Sequence, residues 1–144
     1  MSSSHSCAPG DLQKALRSVS KSCKLSATPV IFHQGDPAKG VYLVESGSVK
    51  LSLESERHKT VYERTMLPGA LLGLPATIND APYSATATAA EDTLLAFVSR
   101  EELLDLMRRD SVVAMTVLKM LSQEIHEMRG VIAGKKRPLR ESPR

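Results

Sequence analysis

Two alternating apolar runs, Val41–Val44 and Val49–Leu53, flank Ser46-Gly47-Ser48 and constrain this chain more than any other feature. Alternation with a period of two belongs to strands, and a Ser-Gly-Ser reversal between two such runs reads as a hairpin. Gly35, Asp36-Pro37 and Gly40 punctuate the approach, where unusual or fixed backbone angles are needed. Breaks at Ser55–His58, Pro68-Gly69 and Asn79–Pro82 divide the stretch from 29 to 98 into further strands. Helical spacing brackets it. Asp11 is placed to cap a short helix carrying Leu12, Ala15, Leu16 and Val19. Ser99-x-x-Glu102 is a capping box opening a helix from Arg100 to about Met107. Asp110 or Ser111 can cap a long final helix over 111–133, ended by Gly134. Helix, many strands, then helices predicts a β-barrel with flanking helices.

The length of 144 residues suits one core-bearing domain, here 11–134, which would bury roughly 68–70% of its unfolded surface. Residues 1–10 are Ser-rich and end in Pro9-Gly10, which predicts a disordered start. No apolar run reaches the ~18 residues that span a bilayer, and Met1–Ser6 lacks signal-peptide features. A cytoplasmic protein with no membrane partner is expected, with Cys7 and Cys23 as reduced thiols rather than a disulfide framework. The formal net charge is +3, yet Lys135–Arg144 alone carries five Lys/Arg against Glu141, leaving −1 in the first 134 residues. The basic balance is therefore a short tail over 135–144, expected to be solvated and disordered, with weak contact to nucleic acid as the functional alternative.

The final helix carries more information. Ala114, Leu118, Leu121, Ile125, Met128 and Ile132 are spaced 4-3-4-3-4, the seam of a two-stranded coiled coil. Val113, Val117 and Met120 form a second apolar strip suited to packing on a barrel. One small barrel covers one side of such a helix, so the other strip predicts a homodimer.

The ordered series Ile31-Phe-x-x-Gly35-Asp-Pro-Ala-x-x-Val41-Tyr-x-Val-x-Ser46-Gly-x-Val-Lys-Leu51 resembles the opening of the cyclic nucleotide-binding barrel in the cAMP receptor protein/FNR superfamily. The resemblance runs over about 12–133. Leu67-Pro-Gly-Ala-Leu-Leu-Gly-Leu-Pro-Ala76 stands where that family has its phosphate-binding segment, and Ala81-Pro-Tyr-Ser-Ala-Thr-Ala87 where it has Pro-Arg-Ser-Ala. It implies a mainly β fold with flanking helices: a cyclic nucleotide-binding-like double-stranded β-helix, or jelly-roll barrel, followed by a C-terminal dimerisation helix.

It also implies a site. The family rests the cyclic phosphate on main-chain N–H groups at a helix start, holds the ribose with a Glu and neutralises the phosphate with an Arg. Gly73 is kept here, but Leu74 stands in the Glu position and Tyr83 in the Arg position, and Pro75 removes an N–H. Losing the cation costs about 3–5 kcal/mol and the carboxylate bond roughly 1–3 kcal/mol, approaching the about −8 kcal/mol of micromolar binding. Tight cAMP or cGMP binding is not expected. The expectation is a non-catalytic regulatory or sensor domain with a small effector in a degenerate pocket of Leu72, Gly73, Leu74, Pro75, Ala76, Tyr83, Ser84, Ala85, Met128 and Arg129. In that pocket Arg129 could partly replace the missing cation. The alternative is a ligand-free scaffold that heterodimerises with full-length transcription factors of the family. Haem, which needs only an axial ligand and an apolar pocket, is a weaker possibility, and two cysteines are too few for a four-thiolate cluster. His5, His33, His58 and His126 show no metal-ligand spacing, and no catalytic set or phosphate-loop motif is legible. No helix-turn-helix follows residue 133, and aromatic residues are few, so specific DNA binding by this chain alone is not expected.

Overall fold

The structure, a computed structural model, describes residues 8–26, 29–57 and 59–123. Helix α1 (Gly10–Arg17) leads into strands β1 (Lys21–Leu25), β2 (Val30–Phe32), β3 (Gly40–Ser46), β4 (Val49–Glu54), β5 (Thr60–Met66) and β6 (Leu71–Leu72). Helix α2 (Leu74–Asn79), strands β7 (Thr86–Ala89) and β8 (Thr93–Ser99) and helix α3 (Arg100–Arg109) follow. A further helix, α4, covers 111–123. The strands form two four-stranded antiparallel sheets, ordered β1-β8-β3-β6 and β2-β7-β4-β5, the jelly-roll arrangement expected.

Period-two alternation assigns each strand residue to a layer. Tyr42 and Val44 of β3 join Leu95, Val49, Met66, Phe32 and Ala87 in a core between the sheets. Val41 and Leu43, on the other face of β3, pack with Ala96 and Val98 against Leu12, Leu16, Leu103, Leu106, Val113, Val117 and Met120 from the helices. The first sheet is therefore covered on both faces. The Val113–Val117–Met120 strip lies against the domain itself, as its spacing required.

Local expectations met different fates. Ser46-Gly47-Ser48 does not close a hairpin: β3 and β4 lie in different sheets, so the segment is a corner between layers. Gly47 has φ +87°, and a Cβ there would stand 2.3 Å from the Asp92 carbonyl oxygen, so the corner admits only glycine. Beside it, Thr93 Oγ1 donates to the carbonyls of Glu91 (2.7 Å) and Ser48 (3.1 Å), and Ser48 Oγ donates to Glu91 Oε2 (2.7 Å). These bonds clamp the 46–48 crossing to the 90–92 crossing. Strand β1 lies outside the 29–98 range expected for strands; its polar Lys-Ser-Cys-Lys-Leu sequence is extended because β8 supplies a partner along its whole length.

Helix caps divide the same way. Pro9, not Asp11, occupies the N-cap of α1, and Asp11 sits in the first turn, where a carboxylate still favours the helix dipole. The α3 and α4 caps are as read: Ser99 Oγ accepts from Glu102 N (3.2 Å), and Asp110 Oδ1 from Val112 N and Val113 N at 3.0 and 3.3 Å. The disordered start expected over 1–10 does not extend to its described end, where Ala8 is buried, its N–H donates to the Gly69 carbonyl at 2.7 Å and Gly10 opens α1. Residues 1–7 and 135–144, Ile125, Met128 and Ile132 of the seam, and Arg129 lie outside the described residues.

Candidate functional site in the barrel

The site forms where α2 meets the start of β3. Gly73, at the N-cap of α2, has φ +80°. A Cβ on it would lie 2.6 Å from Cε1 of Tyr83, so the missing side chain is what admits the tyrosine ring. Tyr83 is only 5% exposed. Its ring stacks on Phe32 with centroids 3.7 Å apart and planes 15° apart. Its hydroxyl donates to the Gly40 carbonyl oxygen at 2.6 Å. Thr77 Oγ1, from α2, donates to the same oxygen at 2.9 Å. Both lone pairs of that buried carbonyl are thereby used, one by the loop before β7 and one by α2. The backbone fixes the loop as well: Tyr83 N donates to the Asp36 carbonyl and Gly35 N to the Tyr83 carbonyl.

The rings continue outward. Phe32 meets Tyr42 at 5.8 Å and Tyr42 meets Phe97 at 4.9 Å. Four of the five aromatic residues in the sequence thus form one contiguous chain, from buried Tyr83 and Phe32 to half-buried Tyr42 and Phe97. Burial, with Tyr83 and Cys23 nearby, pushes the Tyr42 phenol up to about 12. Burial also pushes the Tyr83 phenol up. Both phenols are neutral near pH 7.

Of the expected pocket residues, Leu72, Ala76 and Tyr83 do come together in the core between the sheets, with Gly73 against the Tyr83 ring. Leu74 does not join them. It is fully buried in the other core, among Leu103, Leu106 and Val113. Pro75 and Ala85 are half-buried and Ser84 is exposed. The sequence reading passed over Thr77, Gly40 and Arg100, whose Nε donates to the Thr77 carbonyl at 2.8 Å and so ties α2 to α3. Alternation of Phe32, Tyr42 and Phe97 on inward positions was the available signal for the ring chain. A cleft of about 350 Å³ opens elsewhere, at the Ser46 end of β3, lined in part by Lys24, Ser46, Asp92 and Thr93, and contains none of the expected residues. Among the described residues no group of three or more His, Cys, Asp or Glu side chains is placed to hold a metal ion. Nor is any helix among them long and apolar enough to cross a membrane.

Comparison with known proteins gives a consistent picture. Residues 23–110 match the model of the family described as cyclic nucleotide-binding domain. The chain is 35% identical, over 85% of its length, to the cyclic AMP receptor protein of Thermus thermophilus, of which it spans 56%. It is 28% identical over 73% of its length to the lysophospholipase nte1 of Neosartorya fischeri, but that match covers 7% of the enzyme. Among solved structures, the Thermus thermophilus catabolite activator protein superposes with a TM-score of 0.76 at 31% identity, over 90% of this chain and 60% of that one. The sensor domain of the transcriptional regulator DNR from Pseudomonas aeruginosa gives 0.68 at 23% identity, over 83% and 81%, a likeness of fold.

Proposed function

Because the chain belongs to the cyclic nucleotide-binding domain family, within the Crp/Fnr superfamily, we propose that it is a non-catalytic, cytoplasmic regulatory module that works without a cyclic nucleotide. It pairs with a second copy through α4. The observation that carries this reading is Tyr83: the residue in place of the phosphate-neutralising Arg is stacked on Phe32 and hydrogen-bonded to Gly40 inside the barrel. A cyclic phosphate would have to displace a buried ring and would find no guanidinium there, a loss of about 3–5 kcal/mol for the missing charge partner alone. Leu74, turned into the helix-side core, offers nothing to a ribose hydroxyl. Calorimetry on the purified chain is expected to give a Kd weaker than ~100 μM for cAMP and cGMP, about −5.5 kcal/mol. Micromolar affinity would overturn the reading.

A second reading is favoured by the half-exposed outer end of the ring chain. Half-buried Tyr42 and Phe97 present aromatic surface suited to a small uncharged effector held near Leu72, Gly73 and Ala76. Native mass spectrometry separates the two: a retained small molecule supports the effector, a bare chain the ligand-free module. For the partner, the exposed Val112, Met115 and Leu118 of α4 support a second helix. A full-length relative pairing through the same strip, and so losing DNA occupancy, is the alternative partner.

A further inference from the structure

We infer that Tyr83 acts as a built-in occupant of the barrel, holding α2, and through α2 the helix layer, in one arrangement without any ligand. The inference rests on the preceding reading that no cyclic nucleotide enters here. Its basis is a continuous set of contacts. The Tyr83 ring lies against the N-cap glycine of α2, and its hydroxyl shares the Gly40 carbonyl with Thr77 of the same helix. The same Thr77, through its carbonyl, accepts from Arg100 Nε at the start of α3. Leu74 anchors α2 in the core that also buries Leu103 and Val117. This six-residue helix therefore has one side in the barrel core, through Ala76, and the other in the helix-side core, through Leu74. An element shared by two cores cannot shift in one without disturbing the other, because close-packed interiors do not deform continuously. In a domain whose barrel were emptied and filled by a ligand, α2 would be free to respond; here the occupant is covalently part of the chain and always present.

Hydrogen exchange on the full chain tests this, because it reads local opening segment by segment. Tyr83→Phe keeps the ring and removes only the hydroxyl. Amide exchange is expected to speed up about fivefold over 74–79 and over 100–109, as one hydrogen bond predicts, with β4 and β5 unchanged. Adding p-cresol, the missing side chain as a free molecule, to Tyr83→Ala is expected to restore protection in both helices. Acceleration confined to 81–85, no change in α3, or an equal rise across every strand would overturn the inference. If Tyr83→Ala does not fold, the Tyr83→Phe profile decides alone. Calorimetry of the wild type with cAMP separates the two levels: micromolar binding sinks the functional reading itself, whereas absent binding with uncoupled helices sinks only the built-in occupant.

Discussion

Leu74 shows how a position singled out by its motif can mislead about chemistry. Motif spacing sets it where the resembled family's ribose-binding Glu is expected, yet its side chain is fully buried in the helix-side core. Leu74→Glu is therefore expected not to restore a ligand contact but to bury a carboxylate among leucines and valines, lowering stability by about 3 kcal/mol in denaturant melts. Tyr42 provides a second residue-level test, through pH. The unfolded chain releases a tyrosine proton near 10.0, whereas burial in the fold holds the Tyr42 proton to about 12. Its contribution is thus complete below pH 10.0 and is lost as pH rises toward 12. Circular dichroism followed alongside phenolate absorbance is expected to show alkaline loss of structure in that window, and Tyr42→Phe is expected to flatten it.

At the scale of elements, α4 has one face buried against the domain and one face open. Val113, Val117 and Met120 are buried against the domain, while Leu118 is 54% exposed and Leu121 is half-buried beside the same core. Leu118→Glu is therefore the cleaner probe of pairing: the wild type is expected to sediment as a dimer at micromolar concentration and the variant as a folded monomer. A monomeric wild type would remove the dimer from the account. The buried strip Val113–Val117–Met120 was legible because helical phase is a property of local sequence, and so were the caps at Ser99 and Asp110 and the inward alternation of β4. The expected seam differs from the open face, since Leu121 packs beside the domain's own core while Val112 and Met115, outside that seam, are exposed. Strand β1 was not, because two lysines in five residues carry no strand signal and only pairing with β8 makes them extended. The corner at Gly47 was half legible. Ser46-Gly47-Ser48 fixes that the chain reverses, but whether the next strand returns to the same sheet depends on Asp92 and Thr93, far along the sequence. The site divides similarly: Gly73 and Tyr83 could be named from motif position, but the ring's insertion into the barrel and the outward turn of Leu74 are decided by packing.

At the scale of the whole molecule, two of the six crossings between the sheets, 46–48 and 90–92, are clamped to each other. Gly47→Ala combines a positive φ with a Cβ 2.3 Å from a backbone oxygen, so both sheets must give way at the shared corner. A loss of about 2–3 kcal/mol is expected in denaturant unfolding, reported equally by probes in either sheet if they share one cooperative unit. The pairing of β1 with β8, Lys21 opposite Phe97 and Leu25 opposite Thr93, has a different bearing, on how the chain is born. A ribosome extends the polypeptide at about 5–20 residues per second, so β1 must wait several seconds before its partner strand exists. β2, whose partner is β7, waits nearly as long. During that interval the first strands have no edge to join, and the sheets close only when nearly the last strand is delivered. Lys21 and Lys24 on β1 then have a use beyond the finished fold: charge on an unpaired strand discourages neighbouring nascent chains from adding to it.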